Sequence, residues 1–200
     1  MKGAGKRATH SGTAQRILDV AERLVQTRGF NGFSYADVAI ELGVTKASLH
    51  YHYASKAELG EALLERYTER FTAALGELGA TVSGARAKLD AYADLYGQVL
   101  RGNRMCLCGM LAAEYETLSA GMRKAVRRFF DVNEAWLETV VEEGRQTGEL
   151  AIGAPARDLA RLLVGGLEGA MLMARPYGEA DRFASTAKQL IASLVPNGSA

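Results

Sequence analysis

The chain has 200 residues, of which 48% are hydrophobic, so it can bury a core as one large domain or as a small domain joined to a larger one. It has no run of about eighteen apolar residues, and its basic, polar start lacks the apolar core of a signal peptide. These features predict neither a membrane span nor export, and we expect a cytoplasmic protein. The net charge is +1, but residues 1–56 contain eight Lys or Arg against four Asp or Glu. Unless this asymmetry is random scatter, it predicts a polyanionic partner for the N-terminal part.

Apolar residues recur at helical spacing along almost the whole chain, and proline occurs only three times. The sequence therefore predicts an all-α protein of about nine helices. The expected N-caps of the first four helices are Thr13, Ser34, Thr45 and Ser55. Further helices are expected near 84–101, 104–118, 120–147, 156–174 and 180–194.

The second and third predicted helices have the spacing of a helix-turn-helix. Ala39 is small enough for two helices to cross there, Gly43 tolerates the positive φ of a turn, and Leu49 is an apolar anchor. The third helix carries side chains that hydrogen-bond or stack, which suits the major groove of DNA. This predicted reading face consists of Thr45, Lys46, Ser48, His50, Tyr51 and His52.

The segment AERLVQTRGFNGFSYADVAIELGVTKASLHYHYASKAEL resembles the DNA-binding domain of TetR-family transcriptional regulators. The resemblance rests on Gly-Phe after the first helix, Ser-x-x-x-Val-Ala, Gly-Val-Thr-Lys in the turn and Tyr-x-Tyr-x-Ser-Lys before the fourth helix. It is consistent with an N-terminal three-helix helix-turn-helix domain at residues 11–56, extending into the fourth helix to about residue 71. Residues 57–195 are then expected to form a larger helical domain for effector binding and dimerisation.

The resemblance also implies roles for single residues. Ser34, Tyr35 and Lys56 match phosphate-contact positions of the family, and Thr45, Lys46 and Ser48 would form the leading edge of the recognition helix. Many members have tyrosine where this chain has His50, so its site preference is expected to differ there. The family further implies a homodimer on a palindromic operator of double-stranded DNA, release by a small-molecule inducer, and action as a repressor.

A metal site is the alternative for His50 and His52. Residues i and i+2 of a helix lie roughly 200° apart, and no third ligand is close in sequence, so we predict no metal and no cofactor. An ordinary solvated helix is the plain alternative for the whole cluster.

Large or flexible side chains recur on the fifth to eighth helices and are candidates for an effector pocket. Such residues at helical spacing are more often plain core, and only the family resemblance favours a pocket for a mostly apolar inducer. The candidates are Tyr92, Tyr96, Met105, Cys106, Met110, Leu111, Tyr115, Phe129, Phe130, Trp136 and Met171.

The two cysteines, Cys106 and Cys108, suit a structural disulfide poorly, because their side chains would point to different faces of a helix. They follow Arg101 and Arg104 at an expected helix start, where cationic neighbours and the helix dipole favour a thiolate. The alternative function is therefore a redox- or electrophile-sensing repressor acting through Cys106 or Cys108, with Cys106 the better candidate. A buried, inert cysteine is the plain alternative.

The segment LLVGGLEGAMLMA, residues 162–174, places small residues at a spacing of four, which lets helices approach closely. The resemblance implies that the last two long helices form a four-helix interface between subunits, although packing within one chain explains the glycines as well. The candidate interface residues are Gly165, Gly166, Gly169, Ala170 and Met173.

Known catalytic motifs are missing from the sequence. It has no P-loop, Gly-x-Ser-x-Gly, His-Glu-x-x-His or dinucleotide fingerprint, and its three histidines lie within residues 10–52. We therefore predict that the chain is not an enzyme. A helical interaction module without salt-dependent affinity for DNA is the remaining alternative.

Overall fold

The computed structural model describes the backbone of residues 4–151 and 153–196, and the side chains from residue 12 onward within those ranges. Within these ranges the chain forms nine α-helices and two short 3-10 helices, and no strand, which confirms the all-α prediction. The helices are α1 (Ala4–Arg28), α2 (Tyr35–Leu42), α3 (Lys46–His52), α4 (Lys56–Thr81), α5 (Ala85–Arg101), α6 (Leu107–Ala113), α7 (Ala120–Gln146), α8 (Ala156–Ala174) and α9 (Ala180–Ala192). The 3-10 helices are Tyr115–Thr117 and Arg175–Tyr177.

Two expected helices have different bounds in the structure. Helix α1 begins at Ala4 rather than after Thr13, since no proline interrupts this stretch. The helix expected at 104–118 is shorter, because Asn103, at a φ of 55°, turns the chain after α5 and α6 begins only at Leu107. A separate 3-10 helix follows α6.

The chain folds as two compact units. The N-terminal unit combines the described residues up to Tyr67 with Leu107–Val126, and the C-terminal unit combines Thr68–Cys106 with the described residues from Arg127 onward. Helix α6 thus packs in the N-terminal unit although it comes from the middle of the chain. The boundary expected near residue 57 assigns all later residues to the C-terminal domain. The units defined by packing instead place Leu107–Val126 with the N-terminal helices.

The core of the N-terminal unit is formed by buried apolar residues of α1, α2, α3 and α4. Helix α1 contacts both α2 and α6. Apolar residues at helical spacing supply this core, as the sequence predicts. They include Ile17, Ala21, Leu24, Val25, Val38, Leu49, Leu59, Leu63 and Leu64.

The C-terminal unit has its core where α5 and α8 pack against α9. Its buried side chains include Leu89, Leu137, Val141, Leu163, Leu167, Phe183 and Ile191. Within the described part of the chain, none of the helices is long and apolar enough to span a membrane.

Candidate DNA-binding surface and effector region

Helix α3 is held in place by a turn with the predicted chemistry. Gly43 has a φ of 65°, the hydroxyl of Thr45 accepts the N–H of Ser48 at 3.2 Å, and Leu49 is fully buried. The helix-turn-helix predicted from Ala39, Gly43 and Leu49 is therefore present. With Leu49 anchored, the other side of α3 faces outward.

The outward face of α3 carries the polar and aromatic side chains of the predicted reading face. Thr45, Lys46 and Tyr51 are exposed, with 74% of the Tyr51 surface accessible. Ser48 and His52 are half-buried, and the rings of Tyr51 and His52 meet edge to face at 5.4 Å. This surface offers hydrogen-bond donors, acceptors and stacking groups at little cost of exposure.

His50 is exposed, but its ring has partners within the unit. Its Nδ1 lies 3.1 Å from the carbonyl oxygen of Ala54, and its ring centroid lies 4.7 Å from that of Tyr35. A carbonyl only accepts, so Nδ1 must carry the proton and Nε2 of a neutral ring is left as an acceptor. The imidazole is thus fixed in both orientation and tautomer.

Tyr35 and Lys56, both expected to contact phosphate, have hydrogen-bond partners within the N-terminal unit. The Tyr35 hydroxyl lies 2.9 Å from the carbonyl oxygen of Tyr53 and 2.7 Å from that of Ser55, and burial raises its pKa to about 12. A phosphate contact would require this bond to open. Tyr35 therefore ties the start of α2 to the turn before α4, and its expected contact with DNA stays a prediction.

The ammonium of Lys56 cross-links the start of α4 to the loop between α1 and α2. Its Nζ donates to the carbonyl oxygen of Phe30 at 2.5 Å and to that of Phe33, and it lies 4.7 and 4.4 Å from the centroids of their rings. Burial lowers the Lys56 pKa, while Glu114 and Asp37 oppose that effect. The lysine therefore has a structural role before any DNA is bound.

Ser34 caps α2 as predicted, with Asp37 as its partner. The carboxylate of Asp37 accepts the backbone N–H and the hydroxyl of Ser34, both at 2.7 Å. These hydrogen bonds lower the Asp37 pKa. Ser34 remains exposed at the start of the helix.

The C-terminal unit contains a buried cluster of aromatic and polar side chains. The Tyr92 hydroxyl donates to Oδ1 of Asn133 at 2.8 Å and lies 3.2 Å from the Tyr96 hydroxyl. The ring of Tyr92 stacks on Trp136 at 5.7 Å, and Phe71 contacts Tyr92, Tyr96 and Phe129 edge to face. Burial raises the pKa of both tyrosines, so the phenols stay protonated.

Cys106 belongs to the same cluster. Its thiol hydrogen-bonds to the carboxyl of Glu168, and its backbone N–H donates to Sδ of Met171 at 3.2 Å. Burial raises the Glu168 pKa to about 7, and its Oε1 accepts no hydrogen bond from the described residues. A titratable carboxyl therefore faces the thiol inside the unit. Cys108 is also buried and is not part of a disulfide, but it belongs to the N-terminal unit.

The structure brings together only part of the predicted pocket set. Met110, Leu111 and Tyr115 lie in the N-terminal unit, where Tyr115 packs under Arg123. The other candidates lie in the C-terminal unit, namely Tyr92, Tyr96, Met105, Cys106, Phe129, Phe130, Trp136 and Met171.

Helix α8 separates the predicted interface residues into two rows. A side chain at Gly166 would meet Leu190 of α9, and Ala170 is buried, so these two residues pack within their own chain. Gly165 and Gly169 open to free space, and 64% of the Met173 surface is exposed. Leu162 and Leu172 extend this outward row of apolar and small residues.

Sequence reasoning missed three members of the buried cluster, Phe71, Asn133 and Glu168. Asn133 and Glu168 are single polar residues within the apolar stripes of α7 and α8, and this pattern could have marked them as internal partners. It also missed Glu114, whose carboxylate accepts the N–H of Phe30, 84 positions away. No local pattern signals such a contact. Among the side chains described, no group of three or more His, Cys, Asp or Glu is arranged to hold a metal ion.

Comparison with known proteins agrees with this architecture. The family model described as bacterial regulatory proteins, tetR family, matches residues 17–63, and the model described as tetracyclin repressor-like, C-terminal domain, matches residues 84–190. The HTH-type transcriptional repressor NemR of Escherichia coli K12 is 30% identical to the chain, over 84% of this chain and 86% of NemR.

Solved structures show the same fold. A TetR-family transcriptional regulator from Agrobacterium tumefaciens has a TM-score of 0.90 and 30% identity, covering 94% of this chain and 100% of that one. The reduced form of E. coli NemR has a TM-score of 0.80 and 25% identity, covering 94% of this chain and 100% of that one. The helix-turn-helix, the all-α C-terminal unit and these two family matches together establish that the chain belongs to the TetR family of transcriptional regulators.

Proposed function

We propose that this protein is a ligand-responsive repressor that binds a palindromic operator as a homodimer in the cytoplasm and is released by a small-molecule inducer. The observation that carries the proposal is the exposed polar face of α3, fixed by a capped turn and a buried Leu49. An element held in this way can enter a major groove without reorganising. We propose that the protein has no catalytic activity and uses no cofactor.

In this proposal Lys46, Thr45 and Ser48 make the leading contacts, with Tyr51 and His52 beside them. The Lys46 ammonium would bind a phosphate or the edge of a guanine, and the hydroxyls of Thr45 and Ser48 would hydrogen-bond to phosphates or bases. The His50 Nε2, as an acceptor, would take a hydrogen bond from an amino group such as N4 of cytosine or N6 of adenine. Ser34 is exposed at the start of α2 and is proposed to meet a phosphate there.

The outward row of α8 supports the proposed dimer. Leu162, Leu172 and Met173 expose apolar surface next to the small residues Gly165 and Gly169, which allow a second helix to approach closely. A twofold axis on this face would relate the α3 helices of two subunits, which matches the two half-sites of a palindromic operator. Replacing Gly169 with arginine should shift the protein to monomer in light scattering, while Arg157→Ala should leave the assembly unchanged. A Gly169→Arg dimer would refute this interface.

DNA binding is best tested by selecting bound sequences from random duplexes and measuring affinity for the selected site. Lys46→Ala should weaken binding and reduce the salt dependence of the affinity by about one ion, because one cation that neutralises a DNA phosphate is lost. Lys124→Ala is the matched control, since it removes an exposed lysine from α7. Equal affinities for the two variants would reject the role of Lys46.

A second candidate function is a thiol-based sensor acting through Cys106. It is favoured by the hydrogen bond between this thiol and Glu168, because a carboxylate in contact with a thiol can act as the general base that removes its proton. A reduced form of the similar repressor NemR has been crystallised, and by analogy we propose control by thiol chemistry here.

Alkylation tests this second candidate directly. With iodoacetamide, the sulfur of Cys106 would form the new S–C bond, iodide would leave, and the thiol proton would pass to Glu168. Glu168→Gln should then slow labelling of Cys106 but not of Cys108, as followed by mass spectrometry of the native protein. If iodoacetamide labels neither thiol in the native protein, and labels both only after denaturation, the Cys106 sensor is excluded.

A further inference from the structure

We infer that a surface groove in the C-terminal unit binds a small organic anion with an apolar body. The groove has a volume of about 290 Å³ and lies between the loop after α5 and the 3-10 helix that follows α8. Its lining includes three arginines, Arg101, Arg104 and Arg175, and one acidic residue, Glu179. We call it the arginine groove.

The charges of the arginine groove are only partly compensated. Arg101 is bonded to Asp94 at 2.8 Å, which fixes its guanidinium, and Glu179 is bonded to Arg182 at 3.4 Å. Arg104 is exposed, and its side chain makes no ion pair with any residue that the structure describes. An anion would therefore find a positive rim with one arginine ready to form a forked pair with a carboxylate.

The inner surface of the arginine groove is apolar. Leu100, Met105 and Ala174 line it, and Met105 and Ala174 are buried at its floor. An inorganic anion would leave this floor in contact with water, whereas an aliphatic or aromatic acid would cover it. A volume of about 290 Å³ limits the occupant to a small molecule.

The arginine groove adjoins the buried cluster along α8. Ala174 lies one helical turn beyond Met171, whose sulfur accepts the N–H of Cys106. Met105 in the floor immediately precedes Cys106 in the chain. An occupant would thus press on the segment that carries the proposed sensor. A role in releasing DNA rests on the proposed function, whereas binding itself does not.

Calorimetric titration of the full chain without DNA tests the binding, with sodium octanoate as the probe. Octylammonium chloride is the cationic control, and sodium phosphate tests charge without an apolar body. Octanoate should bind, and Arg104→Ala should weaken it about tenfold through loss of a charge-assisted pair. Arg157→Ala, which removes an exposed arginine at the start of α8, should leave octanoate binding unchanged.

Three outcomes would overturn the proposal. In the first, octanoate does not bind. In the second, octanoate and octylammonium bind equally well. In the third, Arg104→Ala and Arg157→Ala lower the affinity for octanoate by the same factor. Phosphate that binds as tightly as octanoate would overturn the apolar part. Arg104→Gln with an unchanged melting curve serves as a second variant, so that misfolding is not mistaken for lost binding. Adding octanoate to a protein–operator complex then tests the inducer role separately. If the protein stays bound to the operator, the inducer role is wrong, but the binding of octanoate in the arginine groove is not affected.

Discussion

The backbone of Gly29 runs so close to Glu114 that a Cβ atom at position 29 would lie 2.5 Å from Oε1 of that carboxylate. Gly29 has a φ of 84°, and the same carboxylate accepts the N–H groups of Phe30 at 2.6 Å and of Asn31 at 3.3 Å. The loop before α2 is thus hydrogen-bonded to the segment after α6 at a point where a side chain would have to displace the Glu114 carboxylate. In the N-terminal unit this contact sets how the chain enters the helix-turn-helix.

Gly29→Ala should lower the free energy of unfolding by about 1–3 kcal/mol, because it combines an unfavourable positive φ with a clash at Glu114. Urea unfolding of four proteins separates the two causes: wild type, Gly29→Ala, Glu114→Ala and the double variant. The cost of the glycine substitution should be smaller in the Glu114→Ala background, since only the backbone strain remains. Strict additivity would show that the close approach is not energetically important.

Glu114→Gln should destabilise the protein by about 1–2 kcal/mol, because two backbone N–H groups lose a charged acceptor. The amides of Phe30 and Asn31 should exchange with deuterium faster than in the wild type. Glu116→Gln is the control, since Glu116 is exposed two residues further along. Unchanged exchange at both amides would contradict the proposed hydrogen bonding.

Tyr92→Phe should cost about 1–3 kcal/mol of stability, because Oδ1 of the buried Asn133 loses the donor that lies 2.8 Å away. Tyr177→Phe removes a hydroxyl from an exposed ring and should be neutral. Thermal unfolding followed by circular dichroism measures both changes. Equal melting temperatures would mean that water replaces the Tyr92 hydroxyl without cost.

The Glu168 carboxyl should make stability depend on pH. Burial raises its pKa from 4.5 to about 7, so the folded protein holds an extra proton between these values and the free energy of unfolding decreases as the pH rises through this window. The full effect is at most roughly 3 kcal/mol, present below pH 4.5 and lost above pH 7. Tyr92 and Tyr96 face the carboxyl, and burial keeps both phenols protonated throughout this range.

Urea unfolding at several pH values between 4.5 and 7.5 tests this dependence by comparing wild type with Glu168→Gln. The difference between the two proteins should change with pH in the stated direction. Glu138→Gln, at an exposed site on α7, should follow the wild-type curve. A Glu168→Gln curve parallel to that of the wild type would show that the carboxyl keeps its ordinary pKa.

The sequence was sufficient wherever a contact joins neighbours in the chain. The caps Ser34 and Thr45, the positive φ of Gly43 and the buried Leu49 all follow from local chemistry and were predicted. The internal partners of Lys56 lie 26 and 23 residues away, and that of Glu114 lies 84 away, so only the folded chain reveals them. Residue type alone could likewise not separate Gly165 from Gly166, because the position of α9 decides which of them faces outward.

Helix α6 and the 3-10 helix after it complete the N-terminal unit from the middle of the chain. A fragment that ends near residue 71 would lack the Glu114 acceptor and the α6 surface packed on α1. A chimera of two relatives made with a single crossover after the fourth helix would therefore take the two segments of the N-terminal unit from different parents. A functional chimera should need both segments, residues 1–67 and 107–126, from the same parent.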